Sequence, residues 1–169
     1  MLHINIKTRE EKIKNIHPYI NHPIDVLNVL VNEAKIDDIE ILVAGILHDT
    51  IEDTQTTYEE LKELFGENIA NIVLEVTDDK SLPKHIRKEK QITNAKYKSY
   101  KAKIIKIADK ICNLRDIMNS PPENWSIERK KEYFFWAKKV IDEIRGTHSI
   151  LENTFDKEYE KINHNDLVN

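Results

Sequence analysis

Residues 46–54 read Ile46-Leu47-His48-Asp49-Thr50-Ile51-Glu52-Asp53-Thr54. They follow a segment, residues 39–47, in which apolar side chains occur almost all round the helical repeat, and this pattern predicts a buried helix. His48 and Glu52 are four residues apart, as are Asp49 and Asp53, and residues at that spacing share one face of a helix. We therefore expect one end of a buried helix to present an imidazole and three carboxylates together.

A cation is the simple way to hold these carboxylates together, because like charges at close range repel one another. A second apolar segment, residues 102–117, is predicted to form a central helix and carries Asp109. A buried carboxylate without a partner is costly, so Asp109 also requires a cation or strong hydrogen-bond donors. His22, in a turn predicted before a helix over residues 24–34, supplies a third segment. We interpret these three segments as parts of one metal site with four ligands, namely His22, His48, Asp49 and Asp109.

Two imidazoles and two carboxylates form a ligand set that suits Mn²⁺ or Fe²⁺, and Zn²⁺ less distinctively. A metal ion in such a site lowers the pKa of a bound water molecule, which becomes a nucleophile near neutral pH. Glu52 or Asp53 would orient that water and accept its proton. The pattern therefore predicts a hydrolytic metal centre with Glu52 and Asp53 as its catalytic residues.

Each of these residues, taken alone, also has a simpler explanation. His22 would be a capping or packing residue, and the His48–Asp49 pair would be a dipeptide that occurs by chance. Asp109 would be the ion-pair partner of Lys106 or Lys110. The combination of three segments is much more specific than any one of them.

The composition predicts a single all-α domain over residues 1–169. This length suits one domain with enough core to fold unaided. Three Gly and five Pro are too few for a turn-rich β-sandwich or barrel. Asp37 or Asp38 is expected to cap the helix over residues 39–47, and Thr56 to Glu59 fits a capping box. Residues from about 163 to 169 are expected to form a polar tail.

Charge and cysteine content limit the possible partners and the setting. A formal net charge of −4 argues against binding of nucleic-acid polymers, which requires a basic field, but allows a small phosphorylated ligand. The single cysteine, Cys112, excludes a disulfide within the chain. No signal peptide is evident, and no apolar run approaches the roughly 18 residues of a membrane span. These features predict a cytoplasmic protein without membrane contact, and they make no prediction of oligomeric state.

At these residues the chain resembles the HD superfamily of metal-dependent phosphohydrolases, and more narrowly the hydrolase domain of the RelA/SpoT alarmone enzymes in its small stand-alone form. The resemblance runs from about residue 17 to about residue 151, after a divergent start of about 16 residues. The matching segments, in chain order, are Pro18-Tyr19-Ile20-Asn21-His22-Pro23, Leu47-His48-Asp49-Thr50-Ile51-Glu52-Asp53-Thr54, Phe65-Gly66, Glu75-Val76-Thr77-Asp78-Asp79-Lys80, Lys106-Ile107-Ala108-Asp109-Lys110, Asn113-Leu114-Arg115-Asp116, Trp125, Arg129, Tyr133-Phe134, Trp136-Ala137 and Arg145-Gly146-Thr147.

The resemblance implies an all-helical fold and an Mn²⁺-dependent reaction. That reaction cleaves the 3′-pyrophosphate from guanosine tetraphosphate or pentaphosphate and leaves GDP or GTP. Carried over residue by residue, it implies the same four metal ligands and the catalytic pair Glu52 and Asp53. It also implies that several side chains contact the nucleotide, namely Lys12, Lys84, Asn113, Arg129 and Tyr133.

The chain departs from the family near its start, where the family has an Arg-Lys pair that packs against the guanine. Glu11 and Lys12 stand in those places, and Glu cannot stack or donate hydrogen bonds as Arg does. Two alternatives to the alarmone hydrolase therefore stay open. One is a phosphohydrolase of another nucleotide, such as NADPH or a nucleoside phosphate. The other is a non-enzymatic module that binds a nucleotide, although the filled ligand and acidic positions weigh against it.

Overall fold

The structure, a computed structural model, describes residues 20–164. Over this range the chain is helical and contains no strand, which confirms the predicted all-α class. The divergent start, with Glu11 and Lys12, and residues 165–169 of the predicted tail lie outside the described residues. The helices, in chain order, are α1 (Asn21–Asn28) with a π-helical continuation (Val29–Glu33), α2 (Ile39–Leu47), α3 (Thr50–Asp53), α4 (Tyr58–Phe65), α5 (Glu67–Val76), α6 (Lys84–Ala95), α7 (Tyr100–Asn119), α8 (Ile127–Asp142) and α9 (Ser149–His164).

The central helix of the fold is α7, which packs against α1, α2, α5, α8 and α9. Apolar side chains on several sides of α7 are fully buried, among them Ile104, Ile107, Ile111 and Leu114. Each such side chain contributes about 1.5–3 kcal/mol when it is buried, and this offsets the cost of the charged residues that α7 also buries. Like the other helices of residues 20–164, α7 does not combine the length and apolar character that crossing a bilayer requires.

Helices α1, α2 and α7 pack against one another, and each carries or adjoins predicted metal ligands. A glycine allows α1 and α2 to approach closely. A Cβ atom at Gly45 would lie 2.8 Å from Cδ1 of Leu30, inside normal van der Waals contact. Where α1 and α2 pack together, the ring of His22 lies at a centroid distance of 5.3 Å from the ring of His48.

The predicted continuous helix through residues 46–54 is wrong, since α2 ends at Leu47 and α3 begins after a two-residue turn. Side chains satisfy the carbonyl groups at the end of α2. Nδ1 of His48 bonds the carbonyl oxygen of Gly45 at 2.7 Å, and Oγ1 of Thr50 donates to that of Leu47 at 2.6 Å. The predicted ligand pair and catalytic pair therefore do not share the face of one helix.

The structure shows where two of the predicted helices begin and which residues lie at those ends. Helix α1 begins at Asn21, so the prediction that His22 lies in a turn before the helix is wrong, and the residue stands in the first turn. Pro23 is tolerated there because an N–H group in the first turn has no partner within the helix. Of the two predicted caps of α2, it is Asp38 that accepts hydrogen bonds from the backbone of the first turn.

The capping box of α4 lies one residue later than predicted. Thr57 and Glu60, rather than Thr56 and Glu59, exchange the two hydrogen bonds of the box. The backbone N–H of Thr56 instead donates to Oγ1 of Thr54 at 2.9 Å, which holds Thr56 in the preceding turn.

Helix α9 is absent from the sequence-based prediction, which ends the last helix near Gly146. It packs against α7 and α8 through Leu151, Phe155 and Ile162, which are all buried. Their spacing of four and seven residues is the helical signal that identifies this segment.

Candidate active site

Three of the four predicted metal ligands, His22, His48 and Asp109, meet where α1, α7 and the turn between α2 and α3 converge, and the fourth, Asp49, adjoins His48. One nitrogen or oxygen atom each from His22, His48 and Asp109 lies within 4.8 Å of the others. Oδ1 of Asp49 lies 3.2 Å from Nε2 of His48. Residues that are far apart in the chain thus form one cluster of two imidazoles and one carboxylate, with the carboxylate of Asp49 beside His48.

His48 is the most clearly oriented member of the cluster. It is buried, and its Nδ1 bonds the carbonyl oxygen of Gly45, which can only accept. Nδ1 therefore keeps its proton, and Nε2 is the nitrogen available to a metal ion. Nε2 is buried and has no hydrogen-bond partner among the described residues, although Asp49 and Asp109 lie within ion-pair distance. A buried polar atom without a hydrogen bond costs about 1–3 kcal/mol, so this arrangement fits a bound cation.

His22 lies between two carboxylates. Its Nε2 lies 3.1 Å from Oδ1 of Asp109, and its Nδ1 lies 3.6 Å from Oδ2 of Asp116. Burial alone would lower the pKa of His22, but the contacts with these carboxylates raise it to about 10. Asp116 was not assigned a role from the sequence. Its position seven residues after Asp109, and so on the same face of α7, is the signal that identifies it.

Asp109 is buried and is held from several sides. It contacts Nε2 of His22, and Nδ2 of Asn113 donates to its Oδ1 at 2.7 Å. Burial alone would raise the pKa of Asp109, but Lys110 and the imidazoles hold that pKa well below its ordinary value. The carboxyl group is therefore ionised, as a metal ligand must be. Asn113, predicted to contact the nucleotide, contacts this ligand instead, and its contact with a nucleotide stays a prediction.

The simpler explanation of Asp109 as an ion-pair partner also holds in part. Nζ of Lys110 lies 3.0 Å from Oδ2 of Asp109, which leaves Oδ1 facing the imidazoles. Nζ of Lys106 instead donates to the carbonyl oxygen of Val76 at 3.2 Å. One lysine thus orients Asp109, while the other stabilises the end of α5.

The predicted catalytic pair lies beside this cluster. Oε2 of Glu52 accepts a 3.1 Å hydrogen bond from the backbone N–H of Asp78, and Oε1 lies 4.0 Å from Nη1 of Arg87. Burial raises the pKa of Glu52, with smaller contributions from nearby carboxylates. Asp53 accepts a hydrogen bond from Nζ of Lys80. The segment after α5 therefore contacts both of the predicted catalytic carboxylates.

A cavity of about 390 Å³ adjoins Glu52, since Asp78 and Arg87 line the cavity and also contact this carboxylate. Three of the predicted nucleotide-contacting residues lie on its wall, while Lys12 lies outside the described residues. Four of its ten lining side chains are cationic and two are acidic, which suits a phosphorylated ligand. The lining residues are Asp78, Lys84, Arg87, Lys88, Gln91, Trp125, Arg129, Glu132, Tyr133 and Trp136.

Aromatic side chains hold the cations on one side of this cavity. Nζ of Lys88 lies 4.6 Å from the ring centroid of Trp136, and the guanidinium of Arg129 lies 4.6 Å from that of Trp125. Burial lowers the pKa of Lys88, as do the positive charges of Lys84, Lys110 and Arg129. Cations that repel one another in this way are stabilised when an anion binds among them.

Sequence reasoning gave no role to Asp78 or Gln91, whereas Arg87 lies in a basic stretch, residues 84–90, for which the sequence predicts either phosphate contacts or a solvated helix start. Asp78 lies in a segment that the family resemblance includes, but its backbone contact with Glu52 is visible only in the folded chain. Arg87 and Gln91 are four residues apart on α6 and line the cavity on one helix face. Their spacing identifies the shared face, whereas nothing local indicates what that face contacts.

The chain matches the family model described as "HD domain" over residues 4–136. It is 50% identical over 150 residues to the guanosine-3′,5′-bis(diphosphate) 3′-pyrophosphohydrolase MESH1 of Xenopus tropicalis, with coverage of 89% of this chain and 84% of the relative. It is 48% identical over 148 residues to the Homo sapiens protein of the same name, with coverage of 86% and 83%.

A solved structure, described as a metazoan orthologue of SpoT that hydrolyses ppGpp and plays a role in starvation responses, superposes with a TM-score of 0.85. It shares 46% sequence identity, and the match covers 92% of this chain and 88% of that one. The family model covers well over half of the chain, and the matches to the two relatives span 84% and 83% of their lengths. The chain belongs to the HD domain family.

Proposed function

We propose that this protein is a metal-dependent phosphohydrolase that removes the 3′-diphosphate from guanosine tetraphosphate or pentaphosphate. The observation that carries the proposal is the position of the cationic cavity directly beside Glu52 and the His–Asp cluster. The names of relatives that are 45–51% identical support the same substrate, because they describe guanosine-3′,5′-bis(diphosphate) 3′-pyrophosphohydrolases. The products are GDP or GTP and pyrophosphate.

The residues that would hold the metal ion are His22, His48, Asp49 and Asp109. The buried Nε2 of His48 and the ionised carboxylate of Asp109 support their assignment, and a set of two nitrogen and two oxygen donors suits Mn²⁺, with Fe²⁺ or Zn²⁺ as alternatives. When bound, such an ion lowers the pKa of a coordinated water molecule and offsets negative charge on a phosphate group.

The residues of the chain would act as follows. A water oxygen forms a bond to the phosphorus atom attached to the ribose 3′-oxygen, and the bond between that phosphorus and the 3′-oxygen breaks. Glu52 accepts a proton from the water, while the 3′-oxygen takes up a proton and stays with the ribose. The raised pKa of Glu52 suits a proton acceptor that works near neutral pH. Asp53, oriented by Lys80, positions the water.

The cavity would hold the rest of the nucleotide. Lys84 and Arg129 supply positive charge for phosphate oxygens, and Tyr133 supplies an aromatic surface on the same wall. Burial raises the pKa of Tyr133 to about 12, so its hydroxyl stays protonated and can donate a hydrogen bond. A small phosphorylated nucleotide is therefore the proposed partner. A cytoplasmic location stays a prediction from the sequence.

A second candidate is hydrolysis of a different phosphorylated nucleotide, such as NADPH. It is favoured by Glu11, which stands where the related hydrolases have a guanine-packing arginine. The proposed metal ligands and the cationic cavity would serve either substrate, and the two candidates differ in the base and in the group removed, which is a 3′-diphosphate in the alarmone and a 2′-phosphate in NADPH. A purely binding role is less consistent with a complete set of ligand and acidic residues.

Release of pyrophosphate from guanosine tetraphosphate by the purified protein tests the proposal. We expect release with GDP as co-product in the presence of Mn²⁺ and none after treatment with EDTA. NADPH and a nucleoside 3′-phosphate, assayed in parallel for phosphate release, distinguish the second candidate. A protein that holds metal but releases pyrophosphate from neither alarmone would contradict the proposed substrate.

A further inference from the structure

Arg87 lies on α6 between the cationic cavity and the catalytic pair. Its side chain lines the cavity and is about three-quarters buried. Nη1 points toward Glu52 and lies 4.0 Å from Oε1, which is too far for a hydrogen bond. The guanidinium is thus directed at the reaction site without being tightly bound to the carboxylate.

The hydrogen-bonding capacity of Arg87 is only partly used. Its Nε atom is buried and has no hydrogen-bond partner within the part of the chain that the structure describes. One turn later on the same face, Oε1 of Gln91 is likewise buried without a partner, while the amide nitrogen of Gln91 donates to Asp78. A donor and an acceptor, both without partners, therefore flank the segment that contacts Glu52. Buried polar atoms without partners are unfavourable, so a ligand that satisfies them is favoured.

Neighbouring cations are engaged elsewhere. Lys80 donates to Asp53, and Lys110 lies 3.0 Å from Asp109. Lys88 and Arg129 stack against the aromatic wall of the cavity, on the side that would hold the remainder of the nucleotide. Arg87 is distinguished from these four because its guanidinium approaches Glu52 while its Nε still lacks an acceptor.

We propose that Arg87 is a further catalytic residue, which binds the oxygen atoms of the phosphoryl group under attack while Glu52 accepts the proton from water. This inference rests on the proposed hydrolytic function. The planar guanidinium presents several N–H donors in a fixed fork that matches two phosphate oxygens, which a lysine cannot reproduce. Its positive charge stabilises the negative charge that builds up on those oxygens, and no bond to Arg87 forms or breaks.

Gln91 supports this role as a positioning residue. Its amide nitrogen donates to the side chain of Asp78, whose backbone N–H donates to Glu52. Asp78 thereby links the face of α6 that carries Arg87 to Glu52, whose carboxylate lies 4.0 Å from the guanidinium. One small hydrogen-bond network therefore connects the helix that carries Arg87 with Glu52, the proposed base.

The experiment compares Arg87→Gln and Arg87→Lys with Lys90→Gln, a matched control. Lys90 lies on α6, is exposed and does not line the cavity, so its loss removes the same charge from the same helix. All variants are first checked for metal content and thermal unfolding. The second Arg87 variant keeps the test valid if the first one does not fold.

We expect Arg87→Gln to lower kcat on guanosine tetraphosphate by about 10²–10³-fold, the usual effect of removing one group that stabilises transition-state charge. Arg87→Lys should recover only part of this loss, because it restores charge but not the fork. Metal content should equal that of the wild type, and guanidinium ion added to Arg87→Ala should restore part of the rate. Equal kcat values for Arg87→Gln and Lys90→Gln would overturn the proposal.

A second readout does not depend on turnover. Inorganic pyrophosphate is titrated into metal-loaded wild-type and variant proteins and its binding is followed by calorimetry. We expect Arg87→Gln to weaken binding about tenfold or more, as loss of a charge-assisted pair does, and Lys90→Gln to leave it unchanged. If the wild type binds pyrophosphate through Arg87 but does not hydrolyse guanosine tetraphosphate, the proposed substrate fails while the role of Arg87 in phosphate binding stands. Equal affinities of all variants would contradict that role.

Discussion

The backbone N–H of Asp78 donates a 3.1 Å hydrogen bond to Oε2 of Glu52, so the segment after α5 holds one of the proposed catalytic carboxylates. The end of α5, from which this segment continues, is in turn held by two lysine side chains. Nζ of Lys98 donates to the carbonyl oxygen of Glu75, and Nζ of Lys106 donates to that of Val76. Helix α5 has no basic residue in its own last turn, so lysines from elsewhere satisfy its final carbonyl groups.

The cost of burying Lys106 leads to a prediction about pH and stability. Burial lowers the pKa of Lys106 to about 8, from an ordinary value of 10.5. Because the unfolded chain then binds more protons between those two values, Lys106 makes the wild type gain stability as the pH rises from about 8 to about 10.5. We expect Lys106→Met to remove this gain, which amounts to about 3 kcal/mol at most.

Chemical denaturation at several pH values between 7 and 10 provides the measurement. The advantage of Lys106→Met over the wild type should be greatest at the lower end of this range and should shrink as the pH rises. Lys103→Met, a half-exposed site on the same helix, is the control and should show no such trend. A stability difference that is constant with pH would mean that Lys106 does not titrate as the structure implies.

Asp53→Ala should lower turnover by about 100-fold or more, because it removes one of the acidic groups proposed to position and activate water. Metal content should be unchanged, since Asp53 is not among the proposed ligands. The partner of Asp53, Lys80, is exposed, so the folded state should lose little stability. Steady-state kinetics with parallel metal analysis make the test, and wild-type turnover in this variant would show that the assigned role is wrong.

Removal of a proposed ligand should affect the metal before it affects the fold. Asp109→Asn keeps the shape of the side chain but removes its charge, and we expect metal affinity to fall by more than about 100-fold and activity to be abolished. Asp116→Asn should weaken affinity far less, because Asp116 contacts His22 at 3.6 Å and is half exposed. Competition with EDTA, followed by metal analysis, ranks the metal affinities of the variants. Equal metal affinity of Asp109→Asn and the wild type would exclude Asp109 as a ligand.

Arg115 ties the two ends of the described chain to the central helix. From α7 it pairs with Glu33 at 2.7 Å and with Glu158 of α9 at 3.0 Å. Arg115→Met leaves both carboxylates without this partner. We expect a loss of about 1–3 kcal/mol in the free energy of unfolding at neutral pH, because the network is charge-assisted but only partly buried.

The effect of Arg115→Met should also depend on pH. The hydrogen bonds from Arg115 lower the pKa of Glu33 below its ordinary 4.5, so this pair stabilises the fold above that value and ceases to do so as the pH falls through the folded-state pKa. Denaturation curves at neutral pH and near pH 3.5 should therefore show a smaller difference between variant and wild type in acid. Lys138→Met, which breaks an exposed pair with Asp142, should cost much less at neutral pH.

Helical periodicity was sufficient to predict most of the helices, because the burial of an apolar face repeats within each segment. It predicted helix ends less accurately where side chains form hydrogen bonds with the backbone groups at those ends. At the end of α2, His48 and Thr50 bond the last carbonyl groups and stop the helix, and at α4 a bond between Thr54 and Thr56 moves the cap by one residue. Such local competition depends on rotamers, which periodicity does not encode.

The members of the candidate metal site were predicted from their combination and from the family resemblance. A buried carboxylate such as Asp109 is costly unless something binds it, whereas His22 taken alone would be a capping or packing residue. The convergence of those members depends on tertiary packing. His22 and Asp109 are 87 residues apart and meet because α1 packs against α7. The approach of Arg87 to Glu52 is of the same kind: α6 must fold over α3 before the two charges face each other, and no local spacing in the chain specifies that contact.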